Sequence, residues 1–160
     1  MGAPLPYDKK TENVVLGSVI HHIEDYDSVA RYFTDIEAFY QPRAQLLWKK
    51  ITKMKREGQH IDTLTVCVSL TKEDVEEGVD KIYVTDCTSD TCAKGNTAFY
   101  ASKVYEKFLM RKIIVKAEEV KEKAQGNSDN IYTIIGQAHS LFGELLNLSL
   151  IHISEPTRPY

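Results

Sequence analysis

From Asn96 to Gln125 the chain contains neither glycine nor proline. Along it Ala101, Val104, Tyr105 and Phe108 lead into Leu109, Ile113, Ala117, Val120 and Ala124 at helical spacing. One helix over Thr97–Gln125 is predicted, about 43 Å long at 1.5 Å per residue. Gly126 breaks it as a cap, Ser128 or Asp129 starts the next helix, and Ile131–Asn147 returns along the first. Ile131, Ile134, Ile135, Ala138, Phe142 and Leu145 are placed on one face, so the pair forms an antiparallel hairpin. Glycine and proline are scarce elsewhere after the first six residues, and the 3.6-residue period dominates, so the fold class is all-α.

Residues 1–96 read as a compact helical bundle and 97–147 as the hairpin. Asp8 is the expected N-cap of a helix that aligns Val15, Val19 and Ile23 beside Leu16 and Ile20. A short helix and a turn follow, with Val29, Tyr32 and Phe33 inward and Phe39 with Tyr40 closing an aromatic corner. Pro42 suits the first turn of a helix over Arg43–Glu57, where Leu47, Ile51 and Met54 form a stripe widened by Leu46 and Trp48. Gly58 stands where a left-handed cap is expected, and Asp62 is the next N-cap. Leu64–Leu70 reads as a short helix, although its β-branched content also suits a strand. "DVEEGVDKIYVTDCT" supplies another short helix around Ile82, Tyr83 and Val84.

The ending "LSLIHISEPTR", Leu148–Arg158, matches the in-frame translation of a transposase-type sequencing adaptor. The native sequence is therefore expected to stop near Asn147, and 148–160 is set aside as a non-native tail. One or two small domains remain, too few residues for a motor.

Composition excludes several functions. The net charge of −3 argues against a dominant nucleic-acid footprint. No apolar run approaches the roughly 20 residues that span a bilayer. Three cysteines, Cys67, Cys87 and Cys92, and no secretory leader predict a soluble, cytosolic, reduced chain without membrane contact. No catalytic, cofactor-binding or metal site is predicted. "AKGNT" lacks the spacing of a phosphate loop, and Cys87 and Cys92 have no second cysteine pair. His21 and His22 beside Glu24 and Asp25 read as cations at a helix end. "KREGQH" and the lysines from Lys103 to Lys123 read as solvated helix faces.

One pattern stands apart. Gly136, Ser140, Gly143 and Asn147 fall on the hairpin face opposite the apolar stripe. Either this is an exposed polar face with two poor helix formers, or it admits close approach of another subunit. In the second case Gly136, Ser140 and Gly143 with neighbouring Phe142 form the interface.

Three islands carry a resemblance. "PYDKKTENVVLGSVI" resembles the opening of DnaB-type bacterial replicative helicases through Pro6, Glu12, Val15, Leu16 and Gly17, with Asn13 where Gln is usual. "FYQPRAQLLWKKITKMKREGQHIDTLTV" resembles a second stretch through Phe39, Tyr40, Gly58, Ile61, Asp62, Thr65 and Val66, with Ala44 and His60 replacing the usual His and Pro. "NTAFYASKVYEKFLMRKII" resembles a third through Asn96, Tyr100, Ala101, Val104, Glu106 and Arg111.

The resemblance implies the amino-terminal domain of such a helicase, a helical bundle followed by a hairpin that pairs subunits within a hexamer. Its implied partners are itself, primase and in some cases a helicase loader. ATP, magnesium and DNA contact belong to the parent's carboxy-terminal motor domain, so this chain alone is expected to be inactive as an ATP-dependent 5′–3′ helicase. The alternative is a stand-alone helical adaptor that binds a replicative helicase or a primase.

Overall fold

The computed structural model describes residues 3–126 and 130–153, with side chains to 150. Every regular element among the described residues is helical. Two compact units divide them: Tyr7–Phe108, and 109–153 together with 3–6.

In the first unit, α1 (Lys9–His21) starts where expected, the Asp8 carboxylate accepting the Thr11 N–H at 3.1 Å and the Thr11 hydroxyl at 2.7 Å. Its stripe of Val15, Leu16, Val19 and Ile20 is buried. A single 3-10 turn at Ile23–Asp25 leads into α2 (Tyr26–Ala30), and another at Ile36–Ala38 precedes α3 (Pro42–Arg56). Pro42 occupies the first turn of α3, where its missing N–H costs nothing. Leu47, Trp48, Ile51 and Met54 turn inward. Phe33 stacks on Phe39 with centroids 4.1 Å apart, and Trp48 stacks on Tyr26 at 5.2 Å.

Gly58 has φ +69°, a left-handed turn after α3. The segment with strand-like content is helical, α4 (Thr63–Ser69), because Asp62 and Thr65 form a reciprocal capping box that fixes its first turn. "DVEEGVDKIYVTDCT" holds two helices rather than one, α5 (Lys72–Glu76) and α6 (Lys81–Ser89). Gly78, at φ +96°, ends the first, and the Asp80 carboxylate caps the second through the Tyr83 N–H. Helix α1 packs on α6 and α3, and α4 packs on α6.

The first unit extends into α7 (Thr97–Gly126) as far as Phe108, beyond the boundary expected after Asn96. The reason is burial of Ala101, Val104, Tyr105 and Phe108 in the helix's opening turns. Gly126 is the last residue of α7 rather than a cap outside it, and Ser128 and Asp129 lie outside the described residues.

In the second unit, the rest of α7 and α8 (Ile131–Ile153) form the antiparallel hairpin. Lys123 Nζ donates to Gln137 Oε1 at 2.9 Å, tying the helices together, and Asn130 Oδ1 accepts the Tyr132 N–H at 2.8 Å. Helix α8 continues past Asn147 to Ile153, since nothing in "LSLIHI" breaks a helix; residues 154–160 lie outside the described residues. The expected apolar face of α8 is corrected. Ile134 and Leu145 are buried with Ala138 and Leu141 half-buried, while Ile131, Ile135 and Phe142 are exposed. Apolar residues occupy more than one side of this helix, and two helices cover only one.

Candidate functional site

The motif residues of the first unit build a framework. Glu12 is buried on α1, and its carboxylate accepts the Tyr40 N–H at 2.9 Å, the Gln41 N–H at 3.1 Å and the Gln41 side-chain amide at 3.3 Å. Those amides lie at the N-terminus of α3, so a buried negative charge meets the positive end of a helix dipole. The structure thus brings Glu12 and Tyr40 together. Phe39 is fully buried beside them in sequence, and Tyr40 stacks on Tyr7 with rings 4.2 Å apart.

Gly17 explains a close crossing. A Cβ there would fall inside the van der Waals envelope of the Cys87 backbone carbonyl on α6. Leu16 beside it is fully buried. Asp25 plays a role like that of Glu12, accepting the Gly95 N–H at 2.9 Å and the buried Thr97 hydroxyl at 2.8 Å, which fixes where α7 begins. Sequence reasoning left Asp25 at a helix end with His21 and His22. Its separation of about 70 positions from its donor partners hides the link. His21 Nε2 instead lies 2.9 Å from the Thr88 carbonyl.

Several other motif positions make contacts within the chain. Gly58, Asp62 and Thr65 set the α3–α4 connection. The Asn96 carbonyl accepts the Phe99 N–H at 3.1 Å, and Tyr100 packs edge-on to Phe99. In the second unit, buried Arg111 donates to the Pro6 carbonyl at 3.0 Å and so holds the segment before α1.

Electrostatics add little chemistry. The Thr11 hydroxyl and N–H hold the Asp8 carboxyl below its usual value. For Asp74, burial pushes upward, but hydrogen bonds from Lys50 and Thr71 and the Lys50 charge outweigh it, so the carboxyl is held low. Burial pushes the Cys87 thiol up to about 11 and raises the Tyr83 phenol. A thiol so shifted stays protonated and unreactive near neutrality. Among the described residues, no group of three or more His, Cys, Asp or Glu side chains is placed to hold a metal ion. No helix there is long and apolar enough to cross a membrane. The described grooves are open, with volumes of about 230 to 350 Å³.

The small-residue face belongs to α8 in the second unit. Gly136 and Ser140 are exposed and Gly143 half-exposed, with open space beyond the hydrogen where either glycine's Cβ would stand. Phe142 is 42% exposed at the border of that face. Nothing described within the chain requires glycine at these two positions.

A model of the DnaB-like helicase N-terminal domain matches residues 4–106. The chain is 25% identical over 154 residues to the replicative DNA helicase DnaB of Rhodothermus marinus, across 96% of this chain and 16% of that protein. It is 23% identical over 141 residues to the replicative DNA helicase DnaC of Bacillus subtilis, across 88% of this chain and 31% of that one. The chain thus spans less than a third of the length of either relative. The crystal structure of the N-terminal domain of DnaB helicase from Mycobacterium tuberculosis superposes with a TM-score of 0.75 at 22% identity, covering 87% of this chain and 99% of that one. A DnaB-like replicative helicase, described with its interactions with primase, superposes at 0.65 and 18% identity, covering 94% and 36%.

Proposed function

Because the chain belongs to the DnaB-like helicase N-terminal domain family, we propose that it is the assembly and primase-docking domain of a hexameric, ATP-driven replicative helicase. What supports this reading is a fold held in common, over 94% of the chain, with a helicase described together with its primase interactions. The bundle then serves as a rigid docking body, its helices pinned by the buried Glu12 and Asp25 carboxylates. The hairpin serves assembly, and subunit pairing falls on the α8 face of Gly136, Ser140 and Gly143 with Phe142.

In that reading duplex unwinding, 5′ to 3′, belongs to the full-length helicase in the cytoplasm. ATP, magnesium and the main DNA contacts are assigned to its other domain, and a loader is a further partner of the assembly. Calorimetric titration of the purified chain with the helicase-binding domain of the primase from the same source tests the docking role. Saturable binding without ATP or DNA is expected. A folded, helical chain that fails to bind would overturn it. For assembly, Gly143→Arg is expected to keep helicity while lowering the oligomer mass seen by light scattering, and an unchanged mass would count against that face.

A further inference from the structure

We propose that the groove between the Phe33–Ile36 turn and the basic face of α3 is a docking site for a short acidic peptide segment of a partner protein. The starting point is charge segregation. Helix α3 carries Arg43, Lys49, Lys50, Lys53, Lys55 and Arg56 and no Asp or Glu, in a chain whose net charge is −3. Three of these cations have internal work. Lys50 pairs with Asp74 at 2.7 Å and donates to the Ser69 carbonyl at 3.0 Å. Arg43 lies over the Tyr83 ring at 4.2 Å, and Lys55 over Tyr26 at 5.3 Å.

The other three, Lys49, Lys53 and Arg56, follow at i, i+4 and i+7, so they share one face of the helix, and all are exposed. All three line the same groove, of about 330 Å³, and no carboxylate lines it with them. Among the described residues none of the three has an ion-pair partner. The negative end of the helix dipole favours Lys53 and Arg56 in the last turn. It explains neither Lys49 nor the convergence of the three on one groove, where like charges on adjacent turns repel.

The rest of the lining is mixed, with Thr34 and Thr52 polar and a rigid apolar part made by Phe33, Trp48 and Ile36. Phe33 and Trp48 meet edge to face at 5.3 Å, each locked by a further ring, and Ile36 is half-buried beside them. The three cations span about 10.5 Å along the helix axis. Acidic side chains on alternate residues of an extended peptide repeat every ~6.7 Å, so two or three of them reach this row while an apolar residue rests on the Ile36 wall. A nucleic-acid strand fits less well. Phe33 and Trp48 are 5% and 4% exposed, which leaves no aromatic face on which a base can stack.

The test uses the full chain and a fluorescein-labelled peptide of aspartate and glutamate with one central phenylalanine, read by fluorescence anisotropy. Saturable, salt-sensitive binding is expected, with affinity about tenfold lower for Lys53→Glu or Arg56→Glu and unchanged for Lys103→Glu. Replacing the peptide's phenylalanine by alanine is expected to weaken binding about fivefold. If charge reversal disturbs α3 in circular dichroism, Lys49→Gln and Lys53→Gln give the same reading. Absence of saturable binding would overturn the proposal. So would equal binding by the phenylalanine-free peptide and by oligothymidylate, which marks a diffuse cationic surface, or a drop in oligomer mass with Lys53→Glu, which assigns the groove to a second copy.

Discussion

In the Tyr7–Phe108 unit Val15, Leu16, Leu47, Ile51 and Val84 lose all contact with water, whereas along the hairpin Ile113 and Ile135 remain 46% and 58% exposed. The first unit encloses Glu12 and Asp25, each satisfied by hydrogen bonds to groups distant in sequence. Between the hairpin's two helices Lys123 donates to Gln137. A bundle of several short helices can close a core around itself. Two long helices with apolar residues on more than one side leave some outward, and such a surface gains from association. The bundle keeps a closed core although Leu64, Val68 and Ile82 face outward, and under the proposed assembly the hairpin's outward apolar residues are what a partner covers.

The contrast breaks most visibly at Gly17. Gly17→Ala forces the α1–α6 crossing apart against backbone, and a loss of about 3 kcal/mol in chemical denaturation is expected; a neutral effect would mean the crossing is not tight. Glu12→Ala comes next. It leaves the Tyr40 and Gln41 amides without their buried acceptor, at a cost of about 2 kcal/mol, with Glu12→Gln recovering part of it in the same denaturation experiment.

Acid should act on the bundle through Asp74. Its carboxyl is held low in the folded state, so its stabilisation is present above the unfolded-state value, about pH 3.9, and is lost as pH falls through the lower folded value. Urea midpoints measured from about pH 7 downward should therefore fall below about pH 4. Asp74→Asn, which costs about 1 kcal/mol near neutrality, should reduce that fall. The smallest effect has the opposite sign and sharpens the contrast. Gly136→Ala adds a methyl into space open within the chain, and α8 of the dilute, unassociated chain should gain about 0.5–1 kcal/mol, seen as slower local hydrogen exchange.

Local chemistry was legible in the sequence. Asp8, Pro42, Gly58 and Asp62 mark helix ends by contacts within a few residues, and the structure places each at its expected end. The division of α5 from α6 had a signal too. Thr71 and Asp74 form a capping box of the same spacing as Asp62 and Thr65, and Gly78 follows it. The roles of Glu12 and Gly17 were not legible in physical terms. Their partners lie 28 to 70 positions away, and no periodicity reports which buried carboxylate meets which helix end. On α8 the period established a helix but not its inward side, because Ile131, Ile135 and Phe142 are as apolar as Ile134 and Leu145.

Hydrogen exchange on the full chain at a low and a high protein concentration measures the contrast directly. Protection in α1, α3 and α6 should be independent of concentration, while protection in α8 should be weak when dilute and rise as the chain associates. Protection in α8 that matches the bundle and ignores concentration would contradict a hairpin completed by its partner.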